Sequence, residues 1–63
     1  MKILKQSERY KVIDVRNTHE SGSYQLLEKF EVTKGETTIA SVWTTCGIYF
    51  NKKDALKIFN QLN

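Results

Sequence analysis

The apolar residues of this chain recur at helical spacing in its last stretch. Ala55, Ile58, Phe59 and Leu62 stand at offsets of three, four and seven, with Leu56 at the edge of the stripe. Asn51 is the natural N-cap, and Asp54 holds the capping-box position as a shorter substitute for the usual Glu or Gln. A helix from about Lys52 to Leu62 follows. A single amphipathic helix has one face to bury, so the rest of the chain must supply the surface that it covers.

The preceding segments alternate with a period of two, which is the pattern of strands. In "RYKVIDVRN", Ile13 and Val15 share one face with Lys11, while Tyr10, Val12, Asp14 and Arg16 share the other. "THESGS" reads as a loop centred on Ser21-Gly22-Ser23. "YQLLEKFEV" then places Tyr24, Leu26, Phe30 and Val32 on one side, interrupted by Glu28. "TKGET" reverses the chain, with Gly35 able to take the positive φ of a short hairpin. "TTIASVWTT" is rich in β-branched and aromatic residues and has apolar atoms on both faces. Gly47 is expected to break or bulge the path before "IYF" forms a short fourth strand. The signal in "MKILK" is too short to classify, since Ile3 and Leu4 stand alone. The expected fold is α+β: an antiparallel four-stranded sheet with one C-terminal helix packed on one face, in the order ββββα, as a single small domain over residues 1–63.

Size limits what this fold can do. A chain of 63 residues buries only about 60% of the surface its unfolded form exposes, so the stability margin is thin. Cys46 is the single cysteine and cannot form an internal disulfide, which points to a reducing, cytoplasmic setting and to stability drawn from the core or from self-association. The apolar run at the N-terminus is far short of a signal h-region, and no stretch reaches the roughly 20 apolar residues of a membrane span. Lysine outnumbers arginine eight to two, a composition of AT-rich genomes that suits a phage or bacterial origin.

Catalytic chemistry finds few candidates. His19 sits in the polar loop "NTHES" and reads as a solvated residue; Cys46 follows a strand and reads as a half-buried small residue. Zinc-ligand spacings, phosphate loops and dinucleotide glycine runs are all missing from the sequence. The expectation is a non-enzyme with no cofactor and no metal.

Binding is the remaining class. A helix of this length covers one face of a four-stranded sheet and leaves the other to meet something. With Ile13, Val15, Leu26 and Phe30 assigned beneath the helix, Tyr10, Arg16, Lys29 and Trp43 fall on or near the open face. Trp43 reads either as core, because a small domain rarely leaves its largest side chain outside, or as an anchor for a partner. The net charge of +3 is mild, and Glu28, Glu31 and Glu36 line the second strand and its turn, which favours a protein partner over nucleic acid. Lys52 and Lys53 oppose the helix dipole, and Lys53 with Lys57 forms a like-charge i,i+4 pair, each costing roughly a few tenths of a kcal/mol. Either a solvated surface tolerates that cost, or the three lysines form a basic patch for acidic groups on a partner.

"GIYFNKKDALKIFNQL" resembles the last strand and helix of the positive-cofactor-four type of transcriptional coactivators, over Gly47 to Leu62. The resemblance implies a curved four-stranded sheet with a C-terminal helix, a dimer, and single-stranded DNA bound by the sheet of that dimer. Gly47 and Ile48 fit the family's lysine-glycine-isoleucine run, but Cys46 replaces the lysine and Ala55-Leu56 stand near where a tryptophan is common. The family's basic first half is not obvious either, so its DNA-binding residues do not carry over.

The sequence thus points to a small binding protein that docks onto another protein as an inhibitor or adaptor through Tyr10, Arg16, Lys29 and Trp43 on the sheet and Lys52, Lys53 and Lys57 on the helix. The alternative is a single-stranded nucleic-acid-binding module that uses the same sheet, in transcription or replication. A homodimer that buries the open face in itself is a third possibility.

Overall fold

The computed structural model describes residues 2–62. It contains β1 (Lys2–Gln6), β2 (Tyr10–Asp14), β3 (Tyr24–Lys34), β4 (Thr37–Tyr49) and α1 (Lys52–Leu62). The strands form one antiparallel sheet in the order β1-β2-β3-β4, and α1 packs against one face of it. This is the expected ββββα arrangement, but two of its strands are drawn differently. The "MKILK" segment supplies β1, and the two strands expected on either side of Gly47 are a single strand of thirteen residues.

Both differences have local causes. β1 needs little signal of its own because β2 is already there as a template: Ile3 pairs with Ile13, and Leu4, at a register shift between Ile3 and Lys5, packs against the core. At Gly47 the pairing steps from Leu26↔Gly47 to Leu27↔Thr45, which leaves Cys46 as the extra residue of a bulge without ending the strand. The missing side chain is used: a Cβ at Gly47 would stand 2.7 Å from the Tyr49 hydroxyl and 2.8 Å from its Cε2, so the tyrosine ring occupies that space. A second bulge places Ile39 between Val32↔Ala40 and Thr33↔Thr38. The β3–β4 turn is as expected. Gly35 has φ 65°, Lys34 pairs with Thr37 across it, and Glu36 keeps a negative φ, which together define a type II′ turn.

The helix begins where the sequence places it. Asn51 Oδ1 accepts a hydrogen bond from Lys53 N at 2.8 Å, and Asn51 O accepts the first helical bond from Ala55 N at 3.2 Å. Ala55 and Phe59 turn inward onto Val12, Tyr24 and Leu26, flanked by Leu4, Tyr10, Tyr49, Leu56 and Ile58. β2 therefore presents Tyr10 and Val12 to the helix, and Ile13 and Val15 to the other side, the reverse of the expected assignment. The reason lies in residues 17–23, which fold across that other side. Gln25 donates from Nε2 to Ser21 O at 3.0 Å and accepts from Thr45 Oγ1 at 3.1 Å, and Gly22 lies against the Ile48 side chain. Ile13, Val15 and Gln25 are buried beneath this loop. A short loop thus does on one face what the helix does on the other.

The sheet is not covered along its whole length. β2 pairs with β3 only as far as Glu28, and beyond it the β3–β4 hairpin runs on as a two-stranded arm. Phe30, Val32 and Val42 share the helix-side face of this arm and are 46%, 43% and 47% exposed. The radius of gyration, 12.8 Å, exceeds the roughly 11 Å of a compact chain of this length because of this projection.

Candidate functional site

The uncovered part of the face opposite α1 centres on Trp43. Cross-strand pairing sets Lys29 directly beside it, and the alternation of side chains puts Leu27, Glu31, Ser41 and Thr45 on the same face. Lys11, one residue out of phase with Tyr10 and Val12, reaches over the indole with its ammonium 4.4 Å from the ring centroid. Trp43 is half-buried by these neighbours, so the two readings of it meet: it is packed, yet it lies on the open face. Lys11 was not among the expected contacts. Its place emerges only when the β2–β3–β4 register is known, since Lys11 faces Leu27 and Leu27 faces Thr45, two residues along from Trp43.

The expected contact residues do not form one surface. Lys29 and Trp43 meet on the open face. Tyr10 does not join them: it packs against the helix-side core, where its hydroxyl donates to the Glu28 carboxylate, and that bond pushes the phenol pKa up. Arg16 is also elsewhere. It grips Asp14 through Nε, 3.0 Å from both carboxylate oxygens, and Nη2, 2.7 Å from Oδ2, and its guanidinium lies 5.4 Å from the Tyr24 ring centroid. These bonds, with one from Arg16 N, hold the Asp14 carboxyl at about 2. Lys52, Lys53 and Lys57 are exposed on α1, on the far side of the sheet from Trp43. Lys53 and Lys57 rim a shallow groove of about 480 Å³ with Leu56, Asn60 and Gln61.

The acidic residues are divided as well. Glu28 faces the helix side, 3.3 Å from Arg9 Nε, so it does not oppose an anion at Trp43, whereas Glu31 shares the open face. A notch of about 470 Å³ between the β1–β2 turn and the root of the arm is lined by Glu8, Arg9, Lys29, Phe30 and Glu31, a mixed-charge surface. Cys46 has a thiol pKa raised by desolvation and by the Glu28 carboxylate, which disfavours the thiolate a nucleophile needs. Among the described residues no group of three His, Cys, Asp or Glu side chains is placed to hold a metal, and no helix is long and apolar enough to cross a membrane.

No family model matches the chain, and neither a curated protein nor a solved structure matches it.

Proposed function

We propose that this protein is a non-enzymatic docking module that binds another protein through the open face of its sheet, as an inhibitor or adaptor in a reducing, cytoplasmic setting of a phage or bacterium. The observation that carries this reading is Trp43 on an uncovered sheet face, flanked by Lys29 and capped by Lys11. A tryptophan held in place by its neighbours loses little entropy on binding and is the side chain most often at the energetic centre of a protein interface. The mixed charge around it, with Lys11 and Lys29 beside Glu31 and the notch at Glu8 and Arg9, suits a polypeptide surface carrying both signs. The lysines of α1 lie on the opposite side and take no part in this contact.

A second reading has one observation in its favour. Glu28 is turned away from Trp43 and tied to Arg9, so the ring and its two lysines could stack on an unpaired base and pair with its phosphates.

One experiment separates the readings. A photo-crosslinking amino acid at position 31, on the same face as Trp43, with a control at position 57, is irradiated in the cells that encode the protein. Protein docking predicts a protease-sensitive adduct at position 31 that is lost when Trp43 is changed to Ala or Lys29 to Glu. A nuclease-sensitive adduct would move the assignment to nucleic acid. Adducts at position 57 alone would reject the open face as the site.

A further inference from the structure

β4 is the outer strand of the sheet along all thirteen of its residues, and Thr37–Tyr49 contains no charged residue and no proline. Edge strands are ordinarily protected from pairing by lysine, proline, shortness or bulges. Here the bulges at Ile39 and Cys46 leave Ala40–Thr45 in regular register with β3, so the outward backbone groups of that stretch are evenly presented.

We propose that β4 pairs with β4 of a second copy of this chain, antiparallel, about a two-fold axis that passes through Trp43 perpendicular to the sheet. Residues opposed in an antiparallel pair point to the same face, and centring the pairing on Trp43, the midpoint of β4, engages the whole strand. In this register Trp43 opposes Trp43 of the other copy on the axis, Ser41 opposes Thr45, Val42 opposes Thr44, and Ala40 opposes Cys46. Away from the axis these are small or β-branched residues that suit a tight seam. Beyond the strand end, the hairpin tip at Glu36 arrives beside Phe50 of the other copy, which is 80% exposed in the single chain. Lys52 and Lys53 begin α1 just past that phenylalanine.

This contact supplies what the single chain lacks in two places. Glu36 places a carboxylate by the two lysines that oppose their own helix dipole, and by symmetry the contact occurs twice. The arm, a two-stranded ribbon with an uncovered apolar face, gains the body of the other copy alongside it. Both helices lie on one side of the resulting eight-stranded sheet and both Trp43 residues on the other. Pairing uses the backbone edge of β4 and sets the two Trp43 side chains next to one another on the open face, so a partner docking there meets both.

The test is sedimentation velocity over a concentration series together with thiol crosslinking. The wild-type mass is expected to rise from monomer to dimer with concentration, and Thr44→Lys, a charge at the seam, to weaken the dimer at least tenfold. Glu36→Lys should weaken it too, and Lys53→Glu in the same chain should restore it. Under mild oxidation Ala40→Cys should give disulfide-linked dimers through Cys46 of the other copy. Wild type and the Ala40→Cys, Cys46→Ser double variant should not, because their thiols lie about 20 Å apart across the axis. A monomer at all concentrations overturns the proposal, as does a dimer unmoved by Thr44→Lys or equal crosslinking in all three chains. Should Thr44→Lys fail to fold, the crosslinking series decides alone.

Discussion

The Lys11 ammonium stands 4.4 Å from the centre of the Trp43 ring, joining the second strand to the fourth across the uncovered face of the sheet. The contact gives a half-buried cationic side chain a fixed position and partly shields the indole. Lys11→Met, which keeps the aliphatic stem and removes the charge, is expected to destabilise the fold by about 0.5–1 kcal/mol, read from urea denaturation. A double-mutant cycle with Trp43→Leu should return most of that as a coupling energy. No coupling would mean that the lysine contributes through its stem alone.

Arg16 and Asp14 set a low-pH transition. The Asp14 carboxyl is held at about 2 against an ordinary 3.8, first by the Arg16 side-chain bonds and then by the Arg16 backbone N–H. A depressed carboxyl contributes stability above its unfolded pKa and loses that contribution as pH falls toward the folded one. The side-chain carbon signal of Asp14 should therefore titrate near pH 2 by NMR, and in Arg16→Ala it should move up toward 4. Wild-type stability should fall between pH 4 and 2 by more than that of Asp14→Asn.

The two positive-φ glycines should respond differently to the same substitution. At Gly22, with φ 76°, a methyl group would collide with Ile48 Cγ2 and sit 3.2 Å from Tyr49 O, whereas at Gly35, with φ 65°, it would meet nothing. Gly22→Ala is expected to cost about 2–4 kcal/mol, combining backbone strain with overpacking of the loop on the sheet. Gly35→Ala carries the backbone part alone, about 1 kcal/mol. Equal melting shifts for the two would show that the loop gives way to admit the methyl.

Two phenylalanines nine residues apart make the same point about burial. Phe59 is in the core with Val12, Tyr24 and Leu26, and Phe59→Ala is expected to cost about 3–5 kcal/mol, enough to leave so small a domain largely unfolded by circular dichroism. Phe50→Ala, at a largely exposed site, should leave the stability of the isolated chain within about 0.5 kcal/mol of wild type.

Local pattern carried the sequence reading furthest where residues act on near neighbours. The helix bounds, its Asn51 cap and the Gly35 turn all follow from interactions within a few residues, and each is found where it was expected. The ββββα class follows too, since one amphipathic helix after alternating segments has few ways to be buried. The candidate site was only half legible. Trp43 and Lys29 do meet on the open face, but Tyr10 and Arg16 lie on the helix side, and Lys11 was missed.

Capping, turn geometry and side-chain periodicity are short-range, so the amino-acid order alone settles the helix, its cap, the Gly35 hairpin and the α+β class. The face that each strand presents is settled only by packing. Alternation sorts β2 into two faces, but Val12 and Ile13 are equally apolar, and period two carries no label for the helix side. The choice is made by residues 17–23, which close over Ile13, Val15 and Gln25 and leave Val12 for Phe59. The same long-range pairing turns two apolar residues near the N-terminus into a strand and carries β4 through Gly47. In both places a neighbouring strand supplies the hydrogen bonds that the local sequence does not announce.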